Sequence, residues 1–232
     1  MTDLESSNNL IQRYHSVKQD IENACSDTDR TPDSVALLAV SKKHPAASIK
    51  TLYENGQRAF GENYVQEGTD KVSVLSQLDI QWHFIGPIQS NKTRLVAENF
   101  HWVHTIDRLK IAKRLNDQRP HDQAPLNVLI QINISEQASK SGIHLNELDN
   151  LAQSINEMEH LNLRGLMCIP EEQSLASLAL EFKAMQHAYQ QLQNQYPQVD
   201  TLSMGMSADL PCAIECGSTM VRIGTAIFGK RI

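Results

Sequence analysis

Val35-Ala36-Leu37-Leu38-Ala39-Val40-Ser41-Lys42 is the stretch on which the fold turns. Six apolar residues follow one another with no polar residue between them. A strand with one wet face alternates, whereas a strand buried on both faces, as in a parallel sheet covered by helices, reads as a continuous apolar run. Asn127-Val128-Leu129-Ile130-Gln131-Ile132 does not alternate either, with Val128, Leu129 and Ile130 in succession. Working outward from these two, apolar runs of strand length lie at 35–40, 58–61, 82–86, 102–106, 128–134, 163–169, 201–205 and 221–224. Helical spacing fills the intervals: Ile49 and Leu52; Val65, Val72, Leu75 and Leu78; Leu109, Ile111, Ala112 and Leu115, with Asp107 as a candidate N-cap; Leu145, Leu148, Ala152 and Ile155. The longest stripe is Leu175, Leu178, Phe182, Met185, Tyr189, Leu192 and Tyr196. It spans too few heptads for a coiled-coil seam and reads as a helix packed on a sheet.

Ile11, Tyr14, Val17, Ile21 and Cys25 set a further helix ahead of the first strand, and the polar run from Ser26 to Asp33 ends it. Without this helix, eight strand–helix units share the chain at about 25 residues each, near the minimum for a (β/α)8 barrel. The rival, an open doubly wound sheet, has fewer strands and for dinucleotides a GxGxxG turn, which is missing, as is GxxxxGK[ST]. The sequence therefore predicts an α/β chain: one (β/α)8 TIM barrel over residues 1–232, with residues 1–30 as an additional N-terminal helix packed on it.

Composition narrows the function. The 232 residues are 41% hydrophobic and 21% charged, which suits a folded domain. Lysine and arginine total 21 against 27 acids, a net charge of −6, so neither nucleic acid nor an anionic membrane is an expected partner. No apolar run approaches the ~20 residues of a membrane span. The opening Met1-Thr2-Asp3-Leu4-Glu5 lacks the basic and apolar regions of a signal peptide, and a cytoplasmic location is expected. Cys25, Cys168, Cys212 and Cys216 form no CxxC pair. They read as free thiols of a reducing compartment, against a zinc site as the alternative.

In such a barrel the chemistry sits at the C-terminal ends of the strands. The first strand ends in Ser41-Lys42-Lys43-His44. A desolvated lysine there is a nucleophile suited to an imine with an aldehyde; a solvated lysine is the plainer reading of either position. Glu62 and Asn63 follow the second strand, as mouth acceptors or as caps of the next helix. His83 lies inside the third strand, a buried or half-buried histidine with a partner. His101 and His104, three apart, face opposite sides of a strand and do not share a metal. The loops after strands seven and eight, where barrels often bind phosphate, carry Gly205-Met206-Ser207 and Gly224-Thr225. Their glycines allow close backbone approach, and their hydroxyls donate. Arg222 stands between Val221 and Ile223, paired to a carboxylate or facing the mouth. A carbonyl for the lysine, an anion for the loops and a ring between them together describe pyridoxal 5′-phosphate (PLP). Arg222 at the pyridine nitrogen would keep that nitrogen unprotonated.

The residues also resemble a known family. Leu38-Ala39-Val40-Ser41-Lys42, the run Phe60-Gly61-Glu62-Asn63-Tyr64-Val65-Gln66-Glu67, Trp82-His83-Phe84-Ile85-Gly86, Gln89-Ser90-Asn91-Lys92, Leu202-Ser203-Met204-Gly205-Met206-Ser207 and the segment from Gly217 to Gly229 are similar to the pyridoxal phosphate homeostasis proteins. The resemblance implies a barrel like the N-terminal domain of alanine racemase. It implies Lys42, not Lys43, as the Schiff-base lysine. It assigns Ser207, Gly224 and Thr225 to the phosphate, Arg222 to the pyridine nitrogen, and Asn63, His83 and Met206 to the cofactor's surroundings. Alanine racemase takes a second base, a tyrosine, from an added β-domain, and this chain stops just past its last barrel unit. The resemblance therefore implies a non-catalytic holder of PLP that keeps the free cofactor in check and hands it to apo-enzymes; the lack of an extra domain and of large exposed apolar stripes favours a monomer. The alternatives are a PLP-dependent racemase-like enzyme and a phosphosugar barrel without PLP. Lys140, after the fifth strand, reads as solvated.

Overall fold

The two faces of β1 (Ala36–Val40) are buried in different places. Leu37 and Ala39 pack into the main apolar cluster, under the helices, whereas Leu38 and Val40 join Ile85 and Met220 in a second cluster. That division is what a closed barrel imposes: alternate residues point into the barrel and out toward the helical coat. The computed structural model describes residues 3–135, 137, 140–171 and 174–229. The ends of the expected single domain, residues 1, 2 and 230–232, lie outside them.

The remaining strands are β2 (Ala59–Glu62), β3 (Gln81–Phe84), β4 (Trp102–Ile106), β5 (Leu126–Ile132), β6 (Leu161–Cys168), β7 (Thr201–Ser203) and β8 (Met220–Ile223). All pair in parallel and in chain order, and β8 closes on β1 with Leu38 beside Arg222. Between them run α2 (Ala46–Glu54), α3 (Val65–Val74), α4 (Thr93–Asn99), α5 (Leu109–Gln118), α6 (Leu148–Asn156), α7 (Leu175–Gln195) and α8 (Leu210–Glu215), and the short α9 (Thr225–Phe228) follows β8. The barrel expected from the sequence is present. So is the N-terminal helix, α1 (Asp3–Ser26), which packs against α2, α8 and α9 over the β8–β1 closure. It buries Leu10, Tyr14, Val17 and Ile21, each contributing roughly 1.5–3 kcal/mol. Arg13 Nε donates to the Ile227 carbonyl (2.7 Å) and Arg30 Nη1 to that of Ile214 (2.8 Å), tying α1 and the turn after it to α9 and α8.

Several expectations shift in detail. Leu10, not Ile11, is the buried residue that opens the α1 stripe. β7 stops at Ser203 although the apolar run continues to Gly205, because the chain turns there with Gly205 at φ +98°. Asp107 does not cap α5: Arg108 holds the N-cap position, and the Asp107 carboxylate accepts from the Arg108 guanidinium instead. Leu175 begins α7 exposed, while Leu178, Phe182, Met185, Tyr189 and Leu192 are buried, with the helix lying on β6.

Candidate functional site

The alternation that fills the barrel also chooses what reaches its mouth. Leu38 and Val40 face inward, and Lys42 continues their phase. On β2, Ala59 packs on the inner cluster, Gly61 lies against Leu38 and Ile85, and Asn63 arrives in the same phase. On β8, Met220 and Arg222 face inward. Lys42, Asn63 and Arg222 accordingly line one cavity of about 300 Å3 at the C-terminal ends of the strands. Met206 and Ser207 enter it from the loop after β7, and Gly224 and Thr225 from the turn after β8. Ile85 and the 41%-exposed Ile169 give it apolar walls. Its volume is at the lower end of the roughly 300–1,000 Å3 usual for small-ligand pockets.

Lys43 points elsewhere. Its backbone has φ +63°, a region that costs a residue with a side chain about 1–2 kcal/mol. Its ammonium lies over the Tyr64 ring, 5.6 Å from the centroid. His44, which the sequence reading left without a role, does line the cavity and stacks on Phe228 at 4.9 Å.

Arg222 is buried, and among the described residues it has no carboxylate in ion-pair contact. Nη1 donates to the Ser203 carbonyl (2.6 Å) and hydroxyl (2.8 Å), and Nη2 donates to the Cys168 carbonyl (2.8 Å). A guanidinium has five N–H groups, so donors remain for a ligand. Burial pulls its pKa below the usual arginine value, with the Cys168 thiol and Asp209 opposing. Behind Arg222 a polar chain crosses the barrel: Ser203 Oγ to His104 Nδ1 (3.2 Å), then His104 Nε2 to His83 Nδ1 (2.9 Å). Desolvation pushes His83 down to about 3, and His104 also falls well below the ordinary histidine range. Both rings are therefore neutral. Ser203 Oγ accepts from Arg222 and is also in hydrogen-bond contact with His104 Nδ1, so the chain links the guanidinium to both rings. This corrects the placement of His83: it stacks on Trp102 (centroids 5.2 Å apart) in the barrel interior, not among the residues lining the cavity.

The loop after β7 is held by Asp209, whose carboxylate accepts from the Met206 N–H. Burial raises the Asp209 pKa, and that hydrogen bond and Arg222 oppose the rise. Gly205 is required here: at φ +98° an added Cβ would also sit 2.5 Å from that of Ala213. After β8, the N–H groups of Ile227 and Phe228 donate to the Gly224 carbonyl, so the amides of Gly224, Thr225 and Ala226 precede the helical ladder. Two turns and two hydroxyls thus frame one side of the cavity, with Lys42 and Asn63 also on its lining. Asn63 Oδ1 is buried with no hydrogen-bond partner. Such an atom is costly unless something donates to it. A planar ligand with a carbonyl, a polar ring edge and an anionic tail matches these residues.

Glu62 takes neither of its expected positions. It faces outward between β2 and α3, fully buried, and α3 has Tyr64 as its N-cap with no side-chain cap from Glu62 or Asn63. Lys71, which the sequence analysis did not single out, is buried beside it. The signal that could have found the pair is phase: Glu62 is one residue out of step with Gly61 and Asn63. Lys140 is not among the residues lining the cavity; its N–H donates to the Gln137 carbonyl. The four cysteines are free thiols, and among the described residues no helix is long and apolar enough to cross a membrane.

Comparison with known proteins follows the same lines. The chain matches the family model of the alanine racemase N-terminal domain over residues 19–231. It is 54% identical over 228 residues to the pyridoxal phosphate homeostasis protein of Haemophilus influenzae, covering 96% of each chain, and 54% identical to that of Escherichia coli, covering 97% of each. The structure of PipY from Synechococcus elongatus with PLP bound has a TM-score of 0.78 at 37% identity, covering 90% of this chain and 99% of PipY. Alanine racemase from Corynebacterium glutamicum has a TM-score of 0.73 at 14% identity, with 96% of this chain on 61% of the racemase, a likeness of fold alone. The chain belongs to the alanine racemase N-terminal domain family and, within it, to the pyridoxal phosphate homeostasis proteins.

Proposed function

We propose that this chain holds PLP at the mouth of its barrel without turning it over, and so takes part in keeping the cell's free cofactor in check. The observation that carries the reading is the single cavity shared by Lys42, Arg222 and the Ser207 and Gly224-Thr225 turns. Lys42 is the amine that condenses with the aldehyde. Ser207, Gly224 and Thr225 hold the phosphate, and Asn63 Oδ1 and Met206 border the ring. Arg222 faces the pyridine nitrogen and, having no acceptor, keeps it unprotonated. The cofactor supplies an electrophilic aldehyde and, with its nitrogen unprotonated, only a weak electron sink. That suits storage better than turnover. The free thiols, three of them buried, fit a reducing cytoplasm, and the exposed Ile169 and Met206 beside the mouth leave it open for release to apo-enzymes. A monomer suffices, because every residue invoked comes from one chain.

The test is reduction of the PLP-loaded protein with borohydride, then digestion and mapping of the phosphopyridoxyl group. The label is expected on Lys42; recovery on Lys43 or another lysine refutes the reading. Turnover of L- or D-amino acids above that of free PLP would favour the racemase-like alternative. Thr225→Ala is expected to weaken PLP binding about tenfold or more, since a hydrogen bond to a charged group contributes about 1.5–3 kcal/mol. Pyridoxal without its phosphate should bind this variant and the wild type equally poorly, and a selective loss for pyridoxal would remove Thr225 from the phosphate.

A further inference from the structure

Behind Lys42, on the outer side of β1, lies a charge cluster, buried at Lys71 and Glu62 and partly exposed at Glu67, that does not line the cofactor cavity. Lys71, 7% exposed, donates to the Ser41 carbonyl (2.8 Å), to Glu62 Oε1 (2.8 Å) and to Glu67 Oε1 (2.7 Å). The Ser41 hydroxyl donates to the same Glu62 oxygen (2.6 Å). The Lys43 amide donates to Glu67 Oε1 (2.5 Å). Both neighbours of Lys42 are thus tied down, Ser41 by its carbonyl and hydroxyl and Lys43 by its amide. Every anchor comes from β2 or α3. The turn they hold includes Lys43 at φ +63°, a conformation that needs outside support.

A buried ion cluster is weak evidence of a stabilising role, because apolar residues of similar volume often serve stability as well. This one is imperfect even as a cluster, since Glu62 Oε2 is buried without a partner. Its location is what distinguishes it. We infer that Lys71, together with Glu62 and Glu67, is a positioning residue: it fixes the Ser41–Lys43 turn and so sets the direction from which the Lys42 amine enters the cavity. The inference rests on the reading of Lys42 given above. In the step it serves, the amine nitrogen adds to the aldehyde carbon, C=N replaces C=O, and the oxygen leaves as water with no change in oxidation level. Such an addition is sensitive to placement, and a shift of about 1 Å can cost on the order of a hundredfold in rate.

The experiment compares the full-length chain with Lys71→Met. Two quantities are read: the rate of imine formation with saturating PLP, followed by absorbance, and the affinity for pyridoxine 5′-phosphate, which has the ring and phosphate but no aldehyde. The expected result is a fall in rate of roughly tenfold to a hundredfold with pyridoxine 5′-phosphate affinity within about twofold of wild type. An unchanged rate overturns the inference. So does a parallel loss of both quantities, which would mean general collapse of the site. Lys71→Met leaves Glu62 buried without its cation and can fail to fold. The double variant Glu62→Gln/Lys71→Met removes both charges, and the same split is expected; imine formation at the wild-type rate in it overturns the inference equally. If wild type forms no imine at Lys42, the proposed function falls, and this inference with it. If wild type does so and the variants match it, only the inference falls.

Discussion

Lys42→Ala is expected to abolish the covalent adduct with PLP while leaving the barrel as stable as before. Lys42 is half-buried at the end of β1, past the last core residue of that strand, and outside the buried apolar clusters. Its removal opens no hole in either apolar cluster, so the large losses that follow core truncation are not expected. What disappears is the amine. Borohydride should add no phosphopyridoxyl mass, and the absorption band of the protein-bound imine should be absent. PLP should still enter, held by the turns after β7 and β8 and by Arg222, but leave readily. A loss of roughly a hundredfold in affinity, about 2.7 kcal/mol, is the expected size. Lys43→Ala is the control, because the Lys43 ammonium lies over Tyr64 and takes no part in the cavity. It should bind like wild type. If the two variants exchange behaviours, the assignment is wrong.

The contrast between these lysines shows how far the sequence could be read. The apolar runs announced eight two-sided strands, because burial on both faces leaves a mark in composition. They did not say which residues of a run face inward. Without that phase, Lys42 and Lys43 are equivalent, and the resemblance to a family had to separate them. In the folded chain the choice follows from Leu38 and Val40, whose inward phase Lys42 continues. Phase likewise explains Glu62, which reads as a mouth acceptor or a helix cap from its place at a strand end and instead turns to the helical layer with Lys71. His83 shows the opposite limit. It has the inward phase, yet it sits too deep, one step below Ile85 on β3, and its neighbours are His104 and Trp102.

Short elements were illegible for a different reason. The seven residues of α4 and the six of α8 are too few for a periodic stripe, and packing, not propensity, makes them helical. Arg222 was visible as a charge inside an apolar strand, but its partners were not. Carbonyls and a hydroxyl hold it, and backbone acceptors have no signature in sequence. The orphaned Asn63 Oδ1 belongs to the same class, because an unpartnered atom is defined only by its surroundings.

Those surroundings also make the β2–β3 junction vulnerable to one methyl group, and Gly86→Ala is expected to damage stability and cofactor binding together. A Cβ on Gly86 would lie 2.1 Å from the Asn63 carbonyl oxygen, 2.7 Å from its carbon and 2.8 Å from its Cα. All three are backbone atoms, so no rotamer relieves the contact. Gly86 cannot retreat easily either. Its carbonyl accepts from Thr105 Oγ1 on β4 at 2.7 Å, and the preceding Ile85 amide donates to the Glu62 carbonyl at 2.9 Å. The Asn63 backbone must therefore move, and with it a side chain that lines the cavity and is proposed to border the cofactor ring. Overpacking of this sort costs about 1–3 kcal/mol. In a chain of this length such a loss lowers the melting temperature by roughly 2–12 °C. Thermal unfolding and PLP titration check the two effects separately. Asn63→Gly should not rescue the variant, because the clash is with backbone atoms that glycine keeps. A rescue, or a Gly86→Ala protein with the melting temperature and affinity of wild type, would show that the β2 end yields without cost and that the position of Asn63 is not set by its contact with Gly86.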